Sequence, residues 1–68
     1  MIVRRTWSND LYAFLSAVEM SKMGIRIISI FVNPEDERWE VWGQHEGDLD
    51  YDELDRRTDR ALYPDDDT

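Results

Sequence analysis

The segment Ile25 to Val32 (IRIISIFV) constrains the fold more than any other part of the chain. Its only charge is Arg26, and β-branched residues dominate it, so it reads as a strand. Ile28, Ile30 and Val32 alternate onto one face and Ile25, Ile27 and Phe31 onto the other, which predicts cover on both sides. Asn33-Pro34-Glu35-Asp36 follows as a turn, because proline presets φ and asparagine suits a turn's first position. Arg38 to Gly43 (RWEVWG) then alternates as a returning strand, with Trp39 and Val41 opposite Glu40 and Trp42. A β-hairpin therefore lies at the centre of the sequence.

The flanking segments supply the rest. Met1 to Thr6 is short and partly β-branched, the pattern of an edge strand. Ser8 stands where an N-cap belongs, with Trp7 and Tyr12 at the spacing of a hydrophobic staple. Leu11, Phe14, Leu15 and Val18 follow the i, i+3, i+4, i+7 rule and predict the buried stripe of a helix over about residues 9–23. Gly24 is placed to terminate it, with Lys22 near the negative end of the helix dipole. Asp50 and Glu53 have capping-box spacing ahead of a second helix over 51–62, whose thin apolar stripe is Leu54, Thr58, Ala61 and Leu62. The expected fold is a small α+β domain in the order β-α-β-β-α, its short antiparallel sheet packed by the N-terminal helix. It spans residues 1–63, and the acidic tail 64–68 is expected to fray.

Size and charge narrow the function. A chain of 68 residues holds one domain and buries only about 60% of its unfolded surface, which leaves little room for an enclosed active site. Without cysteine there is no disulfide, thiolate nucleophile or Cys-ligated zinc. No signal peptide or apolar run of membrane-spanning length is present, so a cytoplasmic protein is expected. The net charge is −8, split into +2 over residues 1–32 and −10 over residues 33–68. Such a surface repels nucleic acid and anionic membranes.

Catalytic and metal chemistry find few supporting residues. His45, between Gly43 and Gly47, has no nucleophile or orienting partner in a recognisable context and reads as an exposed loop histidine. The serines lack an elbow or triad setting. Asp48-x-Asp50-x-Asp52 copies the start of a calcium loop, but Glu53 stands where the sharp turn requires glycine. No enzyme activity, cofactor or dedicated metal site is expected.

The acids themselves are the informative feature. In the second helix Asp52 with Arg56 and Glu53 with Arg57 form i,i+4 pairs, so part of this face is a solvated, salt-bridged surface. Acids elsewhere have only Arg38 nearby, and their repulsion burdens a small core. The candidate partner-binding residues are Glu35, Asp36, Glu37 and Glu40 of the hairpin, Glu46, Asp48 and Asp50 of the loop, and Asp52, Glu53, Asp55 and Asp59 of the helix. Trp42 joins them as an apolar anchor, while Trp7 and Trp39 are assigned to packing. Carboxylates about 6 Å apart along a helix or strand can offer a stripe of charge to a groove built for phosphates.

In size and charge layout, carried by ERWEVWGQHEGDLDYDELD and the DDD tail, the chain resembles phage-encoded anti-CRISPR proteins of the acidic DNA-mimic type. The resemblance implies a non-enzymatic inhibitor in the bacterial host cytoplasm. It would block the basic DNA-binding groove of a CRISPR effector subunit without touching nucleic acid directly. The competing expectation is a small adaptor whose first helix or exposed strand meets a partner by apolar contact, the acids serving solubility. A core this small would also benefit from a homodimer.

Overall fold

The computed structural model describes residues 1–64, so the acidic residues of the tail, 65–67, lie outside the described residues. The elements are β1 (Ile2–Trp7), α1 (Asp10–Lys22), β2 (Arg26–Asn33), β3 (Arg38–Gln44) and α2 (Tyr51–Leu62). This is the expected β-α-β-β-α order, with a three-stranded antiparallel sheet arranged β1-β3-β2. β1 is an edge strand, as its composition predicts, and β2 forms the other edge. No helix among the described residues is long and apolar enough to cross a membrane.

The ladder register sorts side chains between two faces. Val3, Gly43 and Ile27 lie abreast, as do Arg5, Val41 and Ile30, then Trp7, Trp39 and Val32. These rows face the helices, because Val3, Val41 and Ile25 share one core with Ala13, Ala17 and Met20 of α1 and Leu54 of α2. The opposite face carries Arg4, Trp42 and Ser29 abreast, then Thr6, Glu40 and Phe31. The layers are thus one sheet and one pair of helices, 14 Å through the thin direction of the Cα trace.

Four local expectations are corrected. The N-cap of α1 is Asn9, one residue beyond Ser8: its side chain accepts from the Tyr12 N–H at 2.9 Å. The cap is displaced because β1 runs on through Trp7, and the expected Trp7–Tyr12 staple spacing is lost with it. The ladder shifts register between Ile27 and Ser29, so Ile27, not Ile28, shares a face with Ile30 and Val32. β2 is also not covered on both sides, since Ile28, Phe31 and Val32 are all exposed.

The fourth correction is the largest. The buried stripe of α1 is Ala13, Ser16, Ala17 and Met20; of the expected stripe, Leu15 is half-buried and Leu11, Phe14 and Val18 are 60%, 51% and 49% exposed. Both sets obey the same i, i+3, i+4, i+7 spacing. They are offset by two residues, about 200° around the helix, and so look out from nearly opposite sides. The small side chains of Ala13, Ser16 and Ala17 let the helix sit close on the sheet, and Met20 fills the core at its end.

Helix termination follows the sequence. Gly24 adopts φ +84°, and its N–H donates to the Ser21 carbonyl while Ile25 N–H donates to Met20 at 3.1 Å. This paired closure lets Ile25 fold back beside Met20 in the core. In α2 the Asp50 carboxylate accepts from the Glu53 N–H at 3.0 Å, and Leu54, Thr58 and Leu62 are buried as their spacing predicts.

Candidate functional site

The expected acidic residues do not form one stripe. Glu35, Asp36 and Glu37 are exposed on the hairpin turn at one end of the sheet. That turn is well built: Glu37 N–H donates to the Asn33 carbonyl at 2.8 Å, and Asn33 Oδ1 accepts from Glu35 N–H. Asp36 accepts from Arg38 N–H, and Glu37 takes the left-handed conformation, φ 58°, that closes such a loop. Glu46, Asp48 and Asp50 leave the other end of β3, whose seven residues hold the two groups about 20 Å apart.

On α2 the charge is largely matched. Glu53 bridges Arg56 and Arg57, each at 3.1 Å, and Asp55 reaches Arg5 of β1 at 2.8 Å. Arg56 therefore pairs at i,i+3 with Glu53, and the expected Asp52–Arg56 pair does not form. Asp52 and Asp59 stay exposed. Among the described residues, nine carboxylates have no ion pair: Asp10, Asp52, Asp59 and the two end groups just named.

Glu40 requires a correction. Its strand position suggested a partner-facing acid, yet it is 3% exposed on the face that no helix covers. The burial comes from its own partners. Arg4 Nε donates to Oε1 at 2.8 Å, Asn33 Nδ2 to Oε2 at 2.9 Å, and Trp42 Nε1 to Oε1 at 3.0 Å. The Arg4 guanidinium also lies over the Trp42 ring, 5.7 Å from its centroid. Trp42 is accordingly half-buried, tied to its own sheet by its indole N–H.

The Asn33 hydrogen bond does most to hold the Glu40 carboxyl below its ordinary range, followed by that of Trp42. Burial works against them, and Arg4 adds a smaller lowering. The sign for stability follows. A carboxylate with a depressed folded pKa contributes fully above the unfolded value, about 4.3, and loses that contribution as pH falls through the folded pKa. Glu40→Gln is expected to lower the thermal midpoint at pH 7, with the deficit from the native chain shrinking toward pH 3. Circular-dichroism melts at both pH values check this, and an equal deficit at both would refute it.

The residues that the sequence assigned to the core of α1 instead form an exposed apolar surface that continues to β2, on the helix and strand of the adaptor expectation. The Phe14 ring lies 6.2 Å from that of Trp39, whose register partner is Val32, 45% exposed. Leu11 and Val18 extend the surface along α1. The signal was available, since Ala13, Ser16, Ala17 and Met20 repeat the spacing of the bulky stripe. A helix with two apolar stripes and one sheet to bury them leaves one stripe outside. A shallow depression lined by Gly24, Arg26, Gln44, His45 and Glu46 also marks the surface. There His45 Nδ1 lies 3.4 Å from the Gly47 carbonyl oxygen. Among the described residues no three His, Cys, Asp or Glu side chains converge as a metal site. Comparison with known proteins yields no matching family model, no matching curated protein and no matching solved structure.

Proposed function

We propose that this chain is a non-enzymatic partner-binding module whose contact surface is the apolar face of α1 together with the outer side of β2. The observation that carries this reading is the exposure of Leu11, Phe14 and Val18. A domain this small has a thin core, and leaving three bulky helix side chains about half in water forgoes roughly half of the about 1.5–3 kcal/mol that burying each one fully is worth. Contact with another protein recovers that burial. The test is capture with the tagged chain, washed at about 0.1 M and about 0.5 M salt, over which the Debye length falls from ~10 Å to about half. Apolar docking predicts retention at both salts and loss in the Leu11→Glu/Val18→Glu variant, whose positions are exposed. A partner that stays bound to the variant would overturn the reading.

A second reading rests on the nine carboxylates without ion pairs. It is the DNA-mimic inhibitor of a nucleic-acid-binding protein, in its sharpest form a phage-encoded anti-CRISPR protein blocking an effector subunit in the bacterial cytoplasm. The hairpin turn and the loop before α2 would each meet lysines and arginines of a basic groove. The same washes separate the two readings, because electrostatic capture falls with salt and is competed away by target DNA. Glu35→Lys/Asp36→Lys/Asp48→Lys would abolish it and leave apolar capture intact.

A further inference from the structure

We infer that the occupant of the α1–β2 surface is a second copy of this chain, joined by antiparallel pairing of the two β2 edges about a two-fold axis. The inference rests on the partner-binding reading above and names the partner. The contrast between the two sheet edges points to β2. β1 carries Arg4 and Arg5 in mid-strand, and Arg5 is held by Asp55 and Tyr51 of α2. Charges and a covering helix are the usual means of keeping an edge from pairing. Among the described residues the outer edge of β2 has no covering strand, and from Ile27 to Asn33 it holds no charge and no proline. Ile28, Phe31 and Val32 are exposed along it, and only the bulge near Ile28 disturbs the strand.

Charge favours a strand meeting itself in the antiparallel sense. The one charge of β2 is Arg26 at its start, and just past its end stand Glu35 and Asp36. Pairing centred on Ile30 sets Ser29 against the partner copy's Phe31, on the face that no helix covers. The same register brings Arg26 beside the partner copy's Pro34-Glu35-Asp36 turn, at both ends of the seam. Parallel pairing would instead place arginine on arginine and acid on acid. A two-fold axis normal to the sheet also keeps both α1 helices on one side, with Phe14 and Val18 toward the seam. Leu11, Phe14, Val18 and Val32 expose on the order of 400 Å², within the ~300–600 Å² of the largest patch on a typical monomer, a patch that is often functional. The paired β2 backbones and flanking turns bring each side toward the ~800 Å² of a stable interface.

Sedimentation equilibrium of the whole chain from about 1 to 500 µM tests this, with two single variants placed on opposite edges. The native chain is expected at twice the monomer mass at the upper concentrations. Val32→Lys on β2 should weaken self-association at least tenfold, and Thr6→Lys on β1 should leave it unchanged. Circular dichroism confirms that both variants are folded. Should Val32→Lys fail to fold, Val18→Lys on the exposed side of α1 must give the same weakening. A native chain that stays monomeric to 500 µM, or a dimer lost on Thr6→Lys and kept on Val32→Lys, would overturn the inference. Either result leaves the wider partner-binding reading to the Leu11→Glu/Val18→Glu capture, so the two fail separately.

Discussion

Replacing Leu54 by alanine is expected to cost the fold about 2–5 kcal/mol, the range for truncating a fully buried leucine. Leu54 is 0% exposed and is the one residue of α2 in the central core, beside Ala13, Ala17 and Met20 of α1 and Val3 and Val41 of the sheet. The rest of α2 offers little to compensate. It packs chiefly on α1, its other buried residues are Thr58 and Leu62, and its ion pairs are exposed ones of small net worth. A chain of 68 residues has a total stability of roughly 3–10 kcal/mol. The variant should therefore lose a large share of it, and at the low end of that range should be unfolded. Urea denaturation followed by tryptophan fluorescence measures the change, since Trp7 and Trp39 pack against the core. A loss under about 1 kcal/mol would mean that α2 is not part of the cooperative unit.

Gly43→Ala is expected to destabilise the protein by about 1–3 kcal/mol through overpacking, and Gly43→Val by more. Gly43 stands between Val3 and Ile27 on the helix-facing side of the central strand. A Cβ there would lie 2.5 Å from Ile25 Cγ2, 3.1 Å from the Arg26 carbonyl oxygen and 3.3 Å from Met20 Cε. The methionine can move aside, but Ile25 is 2% exposed and branched, and the carbonyl belongs to the adjacent strand. Relief requires shifting the chain at the start of β2, where the turn closed by Gly24 joins α1 to the sheet. Denaturation midpoints of the two variants, taken under the same conditions, should fall in the order native, alanine, valine. An alanine variant as stable as the native chain would show that this layer holds spare volume.

The elements were legible because each has a local cause. The hairpin follows from an uncharged β-branched run, an Asn-Pro turn and an alternating return strand. The end of α1 follows from Gly24, which alone among its neighbours adopts a left-handed conformation without strain. The start and buried stripe of α2 follow from Asp50 and from Leu54, Thr58 and Leu62. The site was less legible, because exposure is not a local property. Glu40 reads as a surface acid by alternation, and it is buried only because Arg4, Asn33 and Trp42, from all three strands, converge on it. The acids of the loop and turn lie close in sequence to those of α2. The sheet nevertheless sets the two ends apart, and α2 matches much of its own charge.

What the sequence determined by itself is the order of the elements, their approximate ends and the acidic character of the second half, all set by backbone preference and residue type within a few positions. Which side of α1 faces inward was decided only in three dimensions. Two stripes with identical spacing compete there, and periodicity cannot rank them. The sheet takes Ala13, Ser16, Ala17 and Met20 because Val3, Ile25 and Val41 already fill the layer beneath. A helix bearing small residues packs closely over that layer, and the leucine, phenylalanine and valine of the other stripe are turned out to water.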